Sequence, residues 1–206
     1  MNDDDLRVSE SFDDDDPRVS ESFGELSLTA ITKCINFLYY TFNENSTLLD
    51  VGSGPGKVAL CAQALLPFPL KTVYGIEAVK HRNDKANEIL INHKEYFSNH
   101  NISFAHKYFE TDNFVHNNNW THVIAFDLVF TPQTKENMVE FFKKQRQKND
   151  IYFVSTTSIT NGNFPWTSID NEFISQMMLI RRYAMYPHKT FTGSATIFIY
   201  KIAQKN

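Results

Sequence analysis

Leu49-Asp50-Val51-Gly52-Ser53-Gly54-Pro55-Gly56-Lys57 decides how this chain is read. Thr47 to Val51 is a short, almost wholly apolar run and predicts a strand buried on both faces. Three glycines follow at alternate positions, Gly52, Gly54 and Gly56, and helical periodicity then runs from Lys57 to about Leu66. Glycine accepts positive φ and leaves no side chain between backbone and ligand, so this strand, turn and helix unit can hold a nucleoside-type molecule at the strand's carboxyl end. The spacing is G-x-G-x-G, whereas a dinucleotide pyrophosphate calls for G-x-G-x-x-G. Asp50, one position before the strand's last residue, would also repel phosphates and favour a cationic group. Glu77 closes a second strand, Thr72 to Ile76, and stands about 20 residues beyond Gly56, where a carboxylate accepts both hydroxyls of a ribose.

Working outward, the alternation continues on both sides. Leu28, Ile31, Cys34, Ile35 and Leu38 mark one face of a helix reaching about Tyr40. Beyond Glu77, a polar helix is predicted from about Asp84 to Phe97, a third strand over Ile102–His106, a fourth over His122–Phe126, a helix over Thr134–Lys148 and a fifth strand over Ile151–Thr156. Ile180–Tyr186 and Ala195–Ile202 read as two further strands, joined by a short stretch through Pro187 and Gly193 and therefore antiparallel neighbours. The fold class is α/β and Rossmann-like: a mainly parallel, seven-stranded sheet ending in an antiparallel hairpin.

Composition agrees with one large core. Of 206 residues, 42% are hydrophobic and 14% aromatic, enough apolar surface to fold without metal or disulfide staples. Cys34 and Cys61 fall inside helical patterns and read as reduced, buried thiols of an intracellular protein, with no zinc site expected on them. No apolar run approaches the roughly 20 residues that span a bilayer, so no membrane partner is expected. Residues 1–25 carry −8 of a formal net charge of −4, which leaves +4 for residues 26–206. Within the leader, Arg7-Val8-Ser9-Glu10-Ser11-Phe12 recurs as Arg18-Val19-Ser20-Glu21-Ser22-Phe23. Its clustered aspartates offer nothing to bury, so residues 1–21 are read as a solvated acidic leader and residues 22–206 as the domain.

Further pieces carry a resemblance. Phe23-Gly24-Glu25-Leu26, the Leu49–Lys57 stretch, Tyr74-Gly75-Ile76-Glu77, Phe130-Thr131-Pro132, Val154-Ser155-Thr156 and Phe191-Thr192-Gly193 occur in that order. Together they resemble the disruptor-of-telomeric-silencing family, histone lysine methyltransferases with a Rossmann-type rather than a SET domain. The resemblance spans about residues 22–203. It implies S-adenosylmethionine (SAM) as methyl donor and S-adenosylhomocysteine as product, a histone or nucleosome as partner, and the nucleus as compartment if that partner holds. It implies cofactor contacts from Glu25, Asp50, Gly52, Ser53, Gly54, Gly56, Lys57, Glu77, Tyr108, Phe109 and Asp127. Phe126, Phe130 and Phe198 would line a channel for the lysine, with Asp127 beside the transferred methyl.

The chain departs from that family's pattern at four of these positions. Asp127 replaces the second of a pair of asparagines, Lys57 a glutamine, Tyr108 an aspartate near the adenine end, and Phe198 a channel tyrosine. Asp112 takes the place of the missing aspartate if the loop is shifted. An apolar channel suits lysine methylation because it desolvates the ammonium and favours the neutral amine. An ionised Asp127 acts the other way on the amine unless it serves as a proton acceptor. Two other readings stay open: methylation of RNA, DNA or a small molecule, and a catalytically idle binding module. The N/D-P-P-Y/F/W motif that grips a flipped base does not follow the fourth strand. The basic stretches Lys143-Lys144, Arg146 and Lys148, and Lys80 to Lys85, are short, so nucleic-acid contact is only weakly indicated.

Overall fold

Each residue of Thr47–Val51 is buried, and that strand (β1) lies in the interior of the sheet, between β2 and β4. The computed structural model describes residues 27–127, 130–159, 170–185 and 195–205. The remaining strands are β2 (Thr72–Glu77), β3 (Ile102–His106), β4 (His122–Ala125), β5 (Ile151–Ser155), β6 (Met177–Met185) and β7 (Ala195–Ile202), in the order β3-β2-β1-β4-β5-β7-β6. The first five pair in parallel, whereas β7 runs antiparallel to both β5 and β6. The hairpin expected from the short connection is present, and β7 is inserted between β5 and the edge strand β6.

Period-two alternation divides the strand side chains between two cores. Leu48, Val73, Phe104, Ile124, Val154, Ile197 and Ile199 face α1 (Leu28–Leu38), α2 (Lys57–Leu65) and α3 (Lys80–Asn92). Leu49, Val51, Ile76, Val123, Phe153, Tyr200 and Ile202 face α4 (Asn113–Asn117), α5 (Pro132–Gln145) and α6 (Asn171–Ser175). The second core is the more aromatic: Trp120, Phe141, Phe142, Phe153 and Tyr200 are fully buried in it. Each such side chain stabilises the fold by roughly 2–3 kcal/mol through apolar burial.

Helix ends follow local chemistry. α1 starts where Ser27 Oγ accepts the Ala30 N–H, and α5 starts two residues earlier than the apolar periodicity indicates. There Thr131 accepts the Thr134 N–H and Pro132 supplies a preset φ at the first helical position. α3 covers Lys80–Asn92 rather than Asp84–Phe97, because its buried face consists only of Asn83 and Ala86 and gives periodicity little to register. α4 and α6, five residues each, are too short to show a helical period in sequence. Among the described residues no helix is long and apolar enough to cross a membrane.

Candidate cofactor site

The carboxyl ends of β1 and β2 are stitched together by the turn that follows β1. The N–H groups of Gly52 and Ser53 both donate to Ile76 O at 2.9 Å, and Gly56 N–H closes the turn on Ser53 O at 2.9 Å. Gly52, Gly54 and Gly56 have φ of 72°, 52° and 79°, a backbone that other residues adopt only at a cost. Glu77, at the end of β2, reaches into this turn: Oε2 accepts the Gly54 N–H at 2.8 Å and Oε1 accepts the Val79 N–H at 2.9 Å. The sequence pairing of glycine loop and Glu77 is therefore a direct contact in space. A Cβ placed on Gly54 would meet no atom within 4 Å, so there the backbone has open approach.

Asp50 lies beneath the same turn, 1% exposed, with its carboxylate bonded by the Ala59 N–H of the first turn of α2. Burial, and to a lesser degree the charge of Glu77, push its carboxyl up to about 7 against the opposing effect of that amide. Its second oxygen, Oδ2, and the Ser53 hydroxyl are buried without a hydrogen-bond partner. Asn83 Oδ1 is a third such atom, on the same face of α3 as Ala86, which stands against Gly56. Unsatisfied buried acceptors are costly. Their grouping around one turn fits a ligand that brings hydrogen-bond donors and positive charge, as the methionyl end of SAM does. Asn83 was not anticipated; its signal is a polar residue on the same face as Ala86.

The other expected residues fall into distinct surroundings. Lys57 begins α2 at the end of the glycine turn. Phe130 lays its ring over Gly52, 3.2 Å from where a Cβ would stand, and packs with Phe198 against the aromatic core. Phe126 packs on the opposite core, so the three phenylalanines approach from two sides of the sheet. Tyr108 and Phe109 follow β3 and are both buried; Phe109 meets Phe141 edge-on at 5.3 Å and is a core residue. Asp112 is committed elsewhere. Its Oδ1 caps α4 through the N–H groups of Phe114 and Val115, and its Oδ2 accepts the Tyr74 hydroxyl at 2.7 Å.

Asp127 is fully buried rather than open to the cleft. Its Oδ1 accepts from Ser155 Oγ (2.7 Å), Thr156 N (2.8 Å), Thr156 Oγ1 (3.0 Å) and Thr157 N (3.2 Å), and its Oδ2 from the Thr157 hydroxyl. The carboxylate ties the end of β4 to the turn leaving β5. Lys135 of α5 is 2% exposed, and burial lowers its ammonium from the ordinary lysine value against the opposing effect of the Asp127 charge. Glu25 and the segments Phe23–Leu26 and Phe191–Gly193 lie outside the described residues.

Comparison with known proteins agrees with this geometry. The model of the family described as histone methylation protein DOT1 matches residues 8–196. A search of curated protein sequences finds no match. Among solved structures, magnesium protoporphyrin IX methyltransferase from Synechocystis with bound SAM is similar at TM-score 0.59 and 12% identity, covering 88% of this chain and 87% of that one. An RNA methyltransferase from Salinibacter ruber in complex with S-adenosylhomocysteine is similar at TM-score 0.58 and 15% identity, covering 88% and 95%. A putative methyltransferase from Escherichia coli reaches TM-score 0.60 at 12% identity, covering 87% and 88%. At these identities the structures share the fold. The family match, which takes in β1 to β6 together with the glycine turn and Glu77, adds the activity: the chain belongs to the DOT1 histone methylation family and is a SAM-dependent methyltransferase.

Proposed function

We propose that this chain methylates a lysine side chain of a protein of the histone type, presented alone or in a nucleosome. The observation that carries the cofactor half of this reading is the Glu77 to Gly54 contact at 2.8 Å, beside the unpartnered Asp50 Oδ2 and Ser53 Oγ. The acceptor half rests on family membership. When bound, SAM supplies a sulfonium methyl open to in-line attack by a neutral nucleophile. Glu77 would hold the two ribose hydroxyls, and Asp50, Ser53 and the Gly54 backbone would hold the amino-acid end. Phe130 and Phe198 form an apolar wall on one side of the sheet and Phe126 on the other. Such a wall desolvates the incoming ammonium and lowers a lysine pKa from its ordinary value of about 10.4, raising the neutral fraction that attacks. Alignment of the amine with the methyl contributes much of the remaining acceleration.

Protein is favoured over nucleic acid by the surface charges. On α3, Lys80 pairs with Asp84 and Lys85 with Glu88; on α5, Lys143 pairs with both Glu140 and Asp170. Basic groups already paired within the chain offer less to a phosphate backbone. A nuclear location follows if the acceptor is a histone. Two experiments test the proposal. Isothermal titration should give S-adenosylhomocysteine binding that weakens about 100-fold or more in Glu77→Ala, since two charge-assisted contacts are lost; unaltered binding would remove the cofactor assignment. Labelling with tritiated SAM should mark the histones of nucleosomes. Label confined to RNA would reassign the acceptor, and tight cofactor binding with no label anywhere would make the chain a binding module.

A further inference from the structure

We propose that the acidic leader docks on its own chain, where it covers an exposed apolar and cationic face shared by α1 and the edge strand β6. Residues 1–25 carry a charge of −8 and lie outside the described residues. This contact is independent of the cofactor and the acceptor assigned above.

Leu28 and Phe37 of α1 and Met178, Leu179 and Ile180 of β6 are all exposed. The two elements meet in one surface. The Phe37 ring lies 5.1 Å from that of Tyr183, the Arg181 guanidinium stands 4.8 Å over Phe37, and the Tyr183 hydroxyl donates to the Ala30 carbonyl at 3.5 Å. A joined apolar surface of this kind marks an interaction site. Its charge has one sign: Lys33, one turn before Phe37, is exposed, as are Arg181 and Arg182, and neither α1 nor β6 contains an acidic residue. Among the described residues no carboxylate forms an ion pair with these three cations.

An occupant must therefore bring acids and apolar groups together. The leader does so, since the run Asp13–Asp16 stands between Phe12 and Val19. It is also at hand: Ser27 caps α1, and Ala30, three residues on, touches β6. A leader of this length reaches up to about 80 Å when extended, against roughly 30 Å for the nine residues of β6. Tethering holds it near at an effective concentration on the order of millimolar, so even a modest contact is populated. A second copy fits less well, because two such faces would set Lys33, Arg181 and Arg182 against their own counterparts. Three cations beside so much apolar surface are few for a phosphate backbone. The irregularity between Leu179 and Arg181 interrupts the edge ladder, so the leader is held by its side chains rather than added as a strand.

Zero-length coupling of carboxylates to amines by a carbodiimide in the full-length chain tests this, read by peptide mass spectrometry. At low salt Lys33 should couple to the leader aspartates within one chain at least about fivefold more than the exposed Lys94 and Lys148 do. That excess should vanish at about 500 mM salt, where the screening length falls below roughly 5 Å. It should vanish equally in the Arg181→Glu, Arg182→Glu double variant, whose changes are confined to exposed positions, and its melting temperature should stay within about 3 °C of the parent's. A variant with Asp13, Asp14, Asp15 and Asp16 all changed to Asn leaves α1 and β6 untouched, and in it the amides of Met178 to Arg182 should exchange at least about threefold faster. Coupling spread evenly over the exposed lysines, or exchange in β6 unaltered by the leader variant, would overturn the docking. Coupling found only between chains, with a dimer in sedimentation, would give the face to a second copy. A mixed-sequence oligonucleotide that binds the parent as tightly as the leader variant, and loses binding in the double arginine variant, would give it to nucleic acid.

Discussion

Asp50 and His122 are pulled in opposite directions by burial. The Asp50 carboxyl is pushed from 3.8 up to about 7, and the His122 imidazole from 6.5 down to about 3. His122 is stacked between Phe42 at 3.9 Å and Tyr152 at 5.2 Å, with the Thr41 and Thr121 hydroxyls at its two ring nitrogens. Folded Asp50 keeps a proton that the unfolded chain has released, so its contribution to stability is complete below about pH 4 and is lost as pH rises to about 7. Folded His122 refuses a proton that the unfolded chain accepts. Its contribution is complete above about pH 6.5 and is lost as pH falls towards 3. Each covers about three pH units, on the order of 4 kcal/mol at the limit, so the two nearly cancel between about pH 4 and 6.5. Relative to the parent, Asp50→Asn should therefore lose melting temperature as the solution is acidified through this window, and His122→Gln should gain it. Calorimetric scans at half-unit intervals check this; three parallel curves would refute it.

At the scale of elements, the ring of Phe104 on β3 locks α2 and α3 to the sheet. A Cβ on Gly75 would stand 2.5 Å from that ring, and one on Gly56 would stand 2.6 Å from it. Both alanine substitutions overpack the site and should each cost about 1–3 kcal/mol in chemical denaturation. Phe104→Leu should relieve Gly75→Ala in part, since Ser53 Cβ also stands 2.9 Å from that position, and should not relieve Gly56→Ala, because Gly56 also has φ of 79°. Equal rescue of both would show that crowding alone governs the turn. Gly54→Ala separates folding from binding. Nothing crowds that position, so the cost is backbone strain of about 1 kcal/mol, while the new methyl occupies the open approach to the turn. Titration should show cofactor affinity falling by far more than the tenfold that 1.4 kcal/mol represents. Edge strand β6 shows a related economy. It carries exposed Met178, Leu179 and Ile180, yet a register irregularity between Leu179 and Arg181 and two exposed arginines blunt it as a template for further strands.

For the whole molecule, β7 is one of the strands that feed both cores. Ile197 and Ile199 belong to one cluster, Tyr200 and Ile202 to the other, and the strand is paired along both edges. Tyr200 also accepts the Ile159 N–H at 2.9 Å. A chain ending before Ala195 should lack a cooperative thermal transition and bind a hydrophobic dye. A sharp transition in circular dichroism from that fragment would show that the first five strands suffice. Much of this architecture was legible beforehand. The strands β1 to β5, the glycine turn, Glu77 and the final hairpin each have a local signature: an apolar run, a period of two, a glycine spacing or a short connection. The helices α4 and α6 are too short to show a period, Asn83 had only its place on the face of Ala86, and the commitment of Asp112 to the Tyr74 hydroxyl had no signature, because it depends on a neighbour distant in the chain.

The chain's own order of residues determined that a parallel α/β sheet carries a glycine turn beside two carboxylates, since these features follow from steric permission and periodicity within a few residues. Only the tertiary structure decided what surrounds Asp127. Read along the chain, it stands at a strand end where a reactive carboxylate would stand; folded, it is enclosed by hydrogen bonds from Ser155, Thr156 and Thr157. A carboxylate's role is set by its solvation and by the charges around it, and those come from segments that meet only when the sheet is assembled.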